Sequence, residues 1–420
     1  MFTLLLGGCH GKPMRPSADV LAHEYAALAV QLGARDFDSI DFDIDHALDP
    51  LRQDPESFSA IERDAHALRA QLASLPQATP EEAARKSMLI AQTGAIILRA
   101  EQLEGRNRSF DQESRILFGV VAPPDEDAPE RRAIRRQLAQ MLGDAANPAA
   151  AYTRYEMRFV VPPARVPAVL NAAIGQCRAI TLRHVALPAG EHVDVEYVTH
   201  KPWSGFSRYL GHAHSLIQIN MDYPLTVDRV LDLACHEGYP GHHVFNTIRD
   251  QAVAQGMDRE EFQVQLTFSP QSYISEAAAS YAPSMLLPEE RLHIERDILF
   301  PLAGLKDLDV GRYLQVEDLV AQLHTAEPSI ARDYLDGDLE FVRAAEALER
   351  ETLMEHGETV LLYLNQFRTY MLAYTMGNDA IKARIETGHP GNGERWRRYI
   401  ELMKTPAVSL PPKETVPPAQ

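Results

Sequence analysis

A mainly α fold with a small β-sheet beside its key helix is what this chain predicts, on three observations. Apolar residues recur at helical spacing through most of its 420 residues, and helix-start and helix-stop residues bracket those runs. Strand-like alternation is confined to the middle of the chain.

Ser17 caps the first run, in which Val20, Leu21, Tyr25, Leu28 and Leu32 form one stripe and Gly33 marks the end. Similar runs occupy 54–75 and 80–104. Ser109 with Gln112 makes a capping box for a further helix through Leu117, closed by Gly119 and Pro123-Pro124. The acidic stretch Asp36, Asp38, Asp41, Asp43 and Asp45 lacks the turn glycine and terminal glutamate of a calcium loop, and reads as a solvated surface segment. Residues 152–161 read as a strand. Pro167 then opens a helix carrying Val169, Leu170, Ile174 and Cys177. Over 192–200, Val193, Val195 and Tyr197 alternate with Asp194 and Glu196, and 215–221 is a second short strand. Helices resume over 226–239, 242–254, 258–266, 270–287, 310–324, 329–352 and 356–386. The organisation is a helical lobe at 1–150, a catalytic region at 151–405 and a Pro-rich tail at 406–420 that is not expected to fold.

With 45% hydrophobic and 24% charged residues the chain can bury a substantial core. Its 41 Lys+Arg against 59 Asp+Glu leave a net charge of -18, which repels a phosphate backbone and excludes a nucleic-acid partner, while a basic or polar small substrate stays open. No stretch reaches the roughly 20 apolar residues of a bilayer span, so no integral membrane segment is expected. Cys9, Cys177 and Cys235 are too few and too scattered for a disulfide framework, and a cytoplasmic location is the default. The Leu-Leu-Gly-Gly-Cys9 end of the N-terminus offers a minor alternative, export or lipid anchoring through Cys9.

The chemistry centres on His236-Glu237-Gly238-Tyr239-Pro240-Gly241-His242-His243. Imidazoles suit Zn2+, and a carboxylate beside the first can take a proton from an activated water. His236 and His242 are six residues apart, however, and on a straight helix would point roughly 240° apart. Pro240-Gly241 supplies the remedy: the helix must bulge or break there and bring His242 round. Val227, Val230, Leu231, Ala234 and Gly238 form the packing stripe of this helix, from which His236 points away. A third ligand is expected, and Glu276 is the candidate, on a helix capped by Ser269 and opened by Pro270. His212 and His214, two apart on a strand, are rival ligands.

The segment resembles the bacterial family known as domain of unknown function 885, whose members carry His-Glu-x-x-Pro-Gly-His followed by Glu-Gly-Trp-Ala-x-Tyr. The first motif matches at His236, Glu237, Pro240, Gly241 and His242; the second matches at Glu276, Ala279 and Tyr281, with Ala277 and Ala278 in place of its Gly and Trp. Gly105 through Gly119 and Ala373-Tyr374-Thr-Met-Gly377 resemble two further family stretches, so the likeness covers about 100 to 390. The resemblance implies a helix-rich, cleft-containing metallopeptidase fold, distantly similar to carboxypeptidase Taq and the oligoendopeptidases, and a trimmed N-terminal lobe in so short a member.

The expected chemistry is hydrolysis of short peptides, with zinc on His236, His242 and Glu276 and with Glu237 as general base. Tyr374, then Tyr281, are the candidate oxyanion donors, and His243 is expected to hold a ligand or the oxyanion in place. Strand 215–221 would bind substrate by its edge, with Gln218 and Asn220 facing the cleft. Arg208, Arg332 and Arg368 read as solvated or structural cations, although each could hold a substrate carboxylate. Two alternatives compete: a zinc amidohydrolase or esterase on a non-peptide small molecule, suggested by Ala277-Ala278, and a non-catalytic metal-binding protein.

Overall fold

The computed structural model describes residues 16–404 apart from 45, 78, 125–128, 145, 255–258 and 355. Cys9 and the Pro-rich tail therefore lie outside the described residues. Helix makes up 69% and strand 7%, so the fold is mainly α.

The first helix, Ala18–Arg35, is capped by the Ser17 hydroxyl, which accepts the Val20 amide. It does not stop at Gly33. That glycine is needed because a Cβ there would lie 2.8 Å from the side chain of Ile40, which packs on the helix. Helices Phe58–Ala73 and Pro80–Leu103 complete a small core with Leu21, Tyr25, Ile61, Leu68 and Leu89. Val264 and Leu266, far along the chain, belong to this same core. They reach it because strand β1 (Ile40–Asp43) pairs antiparallel with a distant strand, β5 (Val264–Leu266). Asp36, Asp38 and Asp41 of the acidic stretch are thus not simply solvated, while Asp45 lies outside the described residues. Asp36 pairs with Arg99 at 2.6 Å, Asp38 accepts the Gln366 amide at 2.7 Å, and Asp41 accepts the Gln265 amide at 2.6 Å. Residues 258–266 are correspondingly a short turn and a strand rather than a helix.

Helix Phe110–Phe118 has its full capping box and ends on Gly119 at φ 71°. It belongs to the large core, together with helix Val166–Thr181 and most of the helices C-terminal to it. Residues 152–161 are not a strand: Asn147 caps a helix opened by Pro148 that runs to Glu156, and Val160 forms only an isolated bridge to Thr226. The second sheet has three strands, β2 (His192–Val198), β3 (Gly205–Tyr209) and β4 (His214–Asn220), in the order β2-β4-β3. β2 runs parallel to β4 and β3 antiparallel to it. β3 was not predicted, and its presence leaves β4 in the centre with no edge to offer a substrate.

Helix 329–352 is two helices, Glu327–Leu335 and Phe341–Thr352, broken where Gly337 takes φ 86°. The predicted helix over 356–386 is likewise divided, at Arg368, whose φ is 49°. Arg332 and Arg368 are structural cations, paired with Asp111 at 2.9 Å and with Glu113 at 2.7 Å. Among the described residues no helix is long and apolar enough to cross a membrane.

Cys177 and Cys235 form a disulfide between the Val166–Thr181 helix and the His236 segment, with both residues fully buried. Scattered in sequence, they meet because that helix packs directly against the segment. A cross-link closing a loop of 58 residues removes denatured-state entropy. Its reduction, or the pair Cys177→Ala with Cys235→Ala, is expected to cost about 2–4 kcal/mol. Denaturant unfolding with and without reductant checks this, and unchanged stability would show the thiols to be free.

Candidate metal centre

The helix Val227–Leu233 sets the position of the motif, burying Val227, Val230 and Leu231 as its packing stripe. Its next turn, Ala234–Gly238, is a π-bulge, in which the Tyr239 amide donates to the Ala234 carbonyl at 3.2 Å. A cis Tyr239–Pro240 bond comes next, and a new helix, His242–Ala254, starts immediately. The bulge and the restart together cancel the angular mismatch of a six-residue interval. Gly241 makes this possible. Its amide donates to the Cys235 carbonyl at 2.9 Å, and any Cβ would lie 1.8 Å from the His236 carbonyl oxygen.

The rings of His236 and His242 consequently meet, with centroids 4.9 Å apart and planes at 77°. Glu276, from helix Pro270–Tyr281, lies between them: Oε1 is 3.0 Å from His236 Nε2 and Oε2 is 3.2 Å from His242 Nε2. The three ligand-type groups fall within 4.8 Å of one another. Ser275 Oγ lies 3.3 Å from His242 Nδ1, and Tyr370 donates to Glu276 Oε2 at 3.0 Å. Glu276 Oε1, although buried, has no hydrogen-bond partner and meets His236 without hydrogen-bond geometry. Lone-pair donors converging on one point, two of them steadied from behind, suit a divalent ion.

Charge follows the geometry. Burial opposes ionisation of Glu276, but the imidazoles of His236 and His242 outweigh it and hold this carboxyl well below its usual range. Burial likewise disfavours a charged His242, yet Glu276 and Glu237 raise it to about 9. Glu237, 4% exposed, sits 4.0 Å from His236 Nε2; burial pushes its pKa up, with the two imidazoles opposing. Leu233 and Glu237 together explain Gly205 on β3, where a Cβ would lie 2.6 Å from Leu233 Cδ2 and 2.9 Å from Glu237 Oε1.

Two cavities meet at this point. One of about 450 Å3 includes Trp203, Arg229, Asp232, Glu237, Thr359 and Tyr374 in its lining. The other, about 300 Å3, is lined by Asp41, Phe206, His242, Glu276, Phe367 and Tyr370, among others, and shares His236, Glu237 and Tyr374 with the first. Tyr374 is 40% exposed, stacks 6.4 Å from His236 and accepts a hydrogen bond from Tyr363 at 3.3 Å. Desolvation and the Glu276 charge keep its phenol protonated.

Not every expected residue is here. Tyr281 is fully buried and donates to Glu386 at 2.8 Å, away from both cavities, so it is no oxyanion donor. His243 touches no ligand: its Nδ1 lies 2.8 Å from Ser215 Oγ and its Nε2 3.2 Å from Glu191, which pins the new helix to β4. Gln218 lines the smaller cavity, but Asn220 is buried and donates to the Lys201 and Trp203 carbonyls. His212 and His214 do not act together. His214 instead meets Asp194 at 2.9 Å and stacks on His192, forming a second ligand-type group whose members are largely exposed. Tyr370, Tyr363 and Ser275 escaped the sequence reading; Tyr370 lay one helical turn before Tyr374, the only signal available.

No family model and no curated protein matches the chain. Two solved structures are similar to it: a "putative lipoprotein" from Colwellia psychrerythraea, with 13% identity, a TM-score of 0.44 and coverage of 81% of this chain and 66% of that one; and a "putative lipoprotein of unknown function" from Shewanella oneidensis, with 10% identity, a TM-score of 0.44 and coverage of 85% and 76%. At these scores the likenesses carry no argument, and the site stands on its own geometry.

Gly241→Ala is expected to unfold the chain or abolish metal binding, whereas Gly238→Ala, whose Cβ would meet only Ile217 at an ordinary 3.6 Å, is tolerated. Elemental analysis with a thermal melt separates the two. Ser275→Ala, which removes the group behind His242, should weaken zinc affinity by about 10-fold in a chelator competition.

Proposed function

We propose that this chain is a zinc-dependent metallohydrolase, specifically a peptidase cleaving short peptides, and a member of the domain of unknown function 885 family. The observation that carries the reading is the convergence of His236, His242 and Glu276 beside a buried Glu237, where two cavities meet. A bound zinc ion would supply Lewis acidity and a water of lowered pKa. His236, His242 and Glu276 would hold that ion, and Glu237 would act as general base, taking a proton from the attacking water and passing it to the leaving nitrogen. Tyr374, protonated and within reach of the shared wall, donates to the oxyanion that develops. The two cavities hold the chain on either side of the scissile bond, and their size suits peptides rather than folded proteins.

The non-peptide amidase alternative loses its motive. Ala277 packs against Gly377, and the Ala278 carbonyl accepts from Tyr399; neither residue is among those lining the cavities. A non-catalytic metal protein would have no use for a carboxylate held, at some cost, in a buried position beside the site. For location we propose a compartment that permits disulfides, on the strength of Cys177–Cys235 and in place of the cytoplasmic default.

Glu237→Gln is expected to keep a full complement of zinc and to lose activity by about 100-fold to 10,000-fold on a peptide panel. Retained turnover would overturn the mechanism. Because only ionised Glu237 accepts a proton and burial raises its pKa above 4.5, kcat/KM should fall with acidity through a limb above that value. Tyr374→Phe should lower kcat by about 10-fold to 1,000-fold with little change in KM, as loss of one oxyanion donor requires.

A further inference from the structure

The smaller cavity contains a carboxylate that the hydrolytic reading does not use. Asp41, on β1, reaches it from the N-terminal core and shares its lining with His242 and Glu276. Gln265 donates to Asp41 Oδ2 at 2.6 Å, and Arg249 donates to the oxygen of the same amide at 3.2 Å, which fixes the amide nitrogen toward Asp41. The carboxylate is therefore held in place through one oxygen. Among the described residues no lysine or arginine comes within ion-pair distance of it. Lys201 and Arg208 also line the cavity but are exposed to solvent. Asp41 is half-buried, and the His242 imidazole in the same lining opposes the effect of its burial.

The walls suit a cation as well. Phe37, Phe206, Phe367 and Tyr370 line the same space, as does Trp203, whose ring centroid has the Lys201 ammonium 6.0 Å away, and Phe37 is 77% exposed. Aromatic faces with one carboxylate are the chemistry that recognises an ammonium or guanidinium group. The net charge of -18 draws such groups toward the molecule.

We propose that Asp41 and these aromatic walls form a subsite for a cationic group of the substrate, either its free α-amine or a basic side chain, next to the hydrolytic centre. This rests on the peptidase reading for its role in catalysis, while the binding itself does not. Asp41 is a specificity residue: its carboxylate holds the ammonium group so that the neighbouring carbonyl lies at His236 and Glu237.

Calorimetry on the zinc-loaded protein tests it with three probes. Norleucinol carries the α-amine alone, Nα-acetyl-lysinol the side-chain amine alone, and Nα-acetyl-norleucinol neither. One of the two cationic probes should bind about 10-fold or more tighter than the neutral one, as a charged hydrogen bond provides. Whichever does so identifies the source of the cation. A free amine can also ligate a metal, so the deciding comparison is Asp41→Asn, which leaves the metal ligands in place and should bring the probes within about 2-fold of each other, while Asp41→Glu retains the preference. Asp41→Ser replaces Asn if a thermal melt shows that variant to be unfolded. Equal binding of all three probes, or a preference that survives Asp41→Asn, overturns the subsite. Absence of turnover on every peptide, with the preference intact, would sink the peptidase reading and leave the subsite standing.

Discussion

The contact between Gly241 and the His236 carbonyl is the constraint on which the rest of the site depends. Two imidazoles six residues apart can share one ion only if the backbone between them folds back on itself, and only a residue without a Cβ allows that approach. The π-bulge contributes the remaining rotation while leaving its backbone groups satisfied, because Ala234 and Cys235 accept the amides of Tyr239 and Gly241. Such a turn would drift unless held from outside. Three attachments hold it: the disulfide at Cys235, the Tyr239 hydroxyl donating to Glu191 at 2.6 Å, and His243 set between Ser215 and Glu191. Glu191 is itself anchored by Arg178, on the helix that carries Cys177. Covalent and polar ties thus converge on the same neighbour, and the residues flanking the histidines act as fixings rather than as chemistry.

A second constraint is electrostatic. Glu276 lies in a region where an isolated carboxylate would be strongly disfavoured, and it remains ionised because two imidazoles face it. The same arrangement raises His242, since each partner stabilises the charged form of the other. A metal bound there, as proposed, would compete with a proton for one set of lone pairs. Tyr370 and Ser275 fix the orientations of the carboxylate and of the second imidazole. Glu237 differs in kind. Burial dominates there over the opposing imidazoles, and its pKa moves upward.

The residues that share a continuous local pattern were legible in the sequence. The Ser109 and Gln112 capping box, the stripe from Val227 to Ala234, and Ser269-Pro270 before Glu276 are each written within a few positions, and the elements formed where these patterns placed them. The need for a break at Pro240-Gly241 came from angular arithmetic alone. What was illegible depended on partners far along the chain. Asp36 and Asp41 read as solvated because their partners, Arg99 and Gln265, are 63 and 224 residues away. β3 was hidden by Gly205, a poor strand former whose place is set by the close approach of Leu233 and Glu237 rather than by the strand. Tyr281 matched a motif in sequence but turns toward Glu386, while Tyr370, outside any motif, reaches Glu276. Helical spacing tells which residues share a face; it does not tell which face meets Glu276.

The N-terminal segment acquires its significance from the same geometry. Its core is small, and it is joined to the remainder partly by β5, a strand of only three residues whose side chains are all buried. β1, pairing with that strand, carries Asp41 into the smaller cavity, and the preceding turn brings Phe37 to its wall. One short ribbon therefore attaches the N-terminal core and supplies one side of the cleft. Removing the N-terminal helices would not merely trim the molecule. It would leave Val264 and Leu266 without their apolar neighbours, free the Gln265 amide that orients Asp41, and open the cavity beside His242 to water. The groups proposed to act in hydrolysis lie between residues 236 and 374, and the N-terminal core adds Phe37, Asp38, Ile40 and Asp41 to the wall of the smaller cavity beside them.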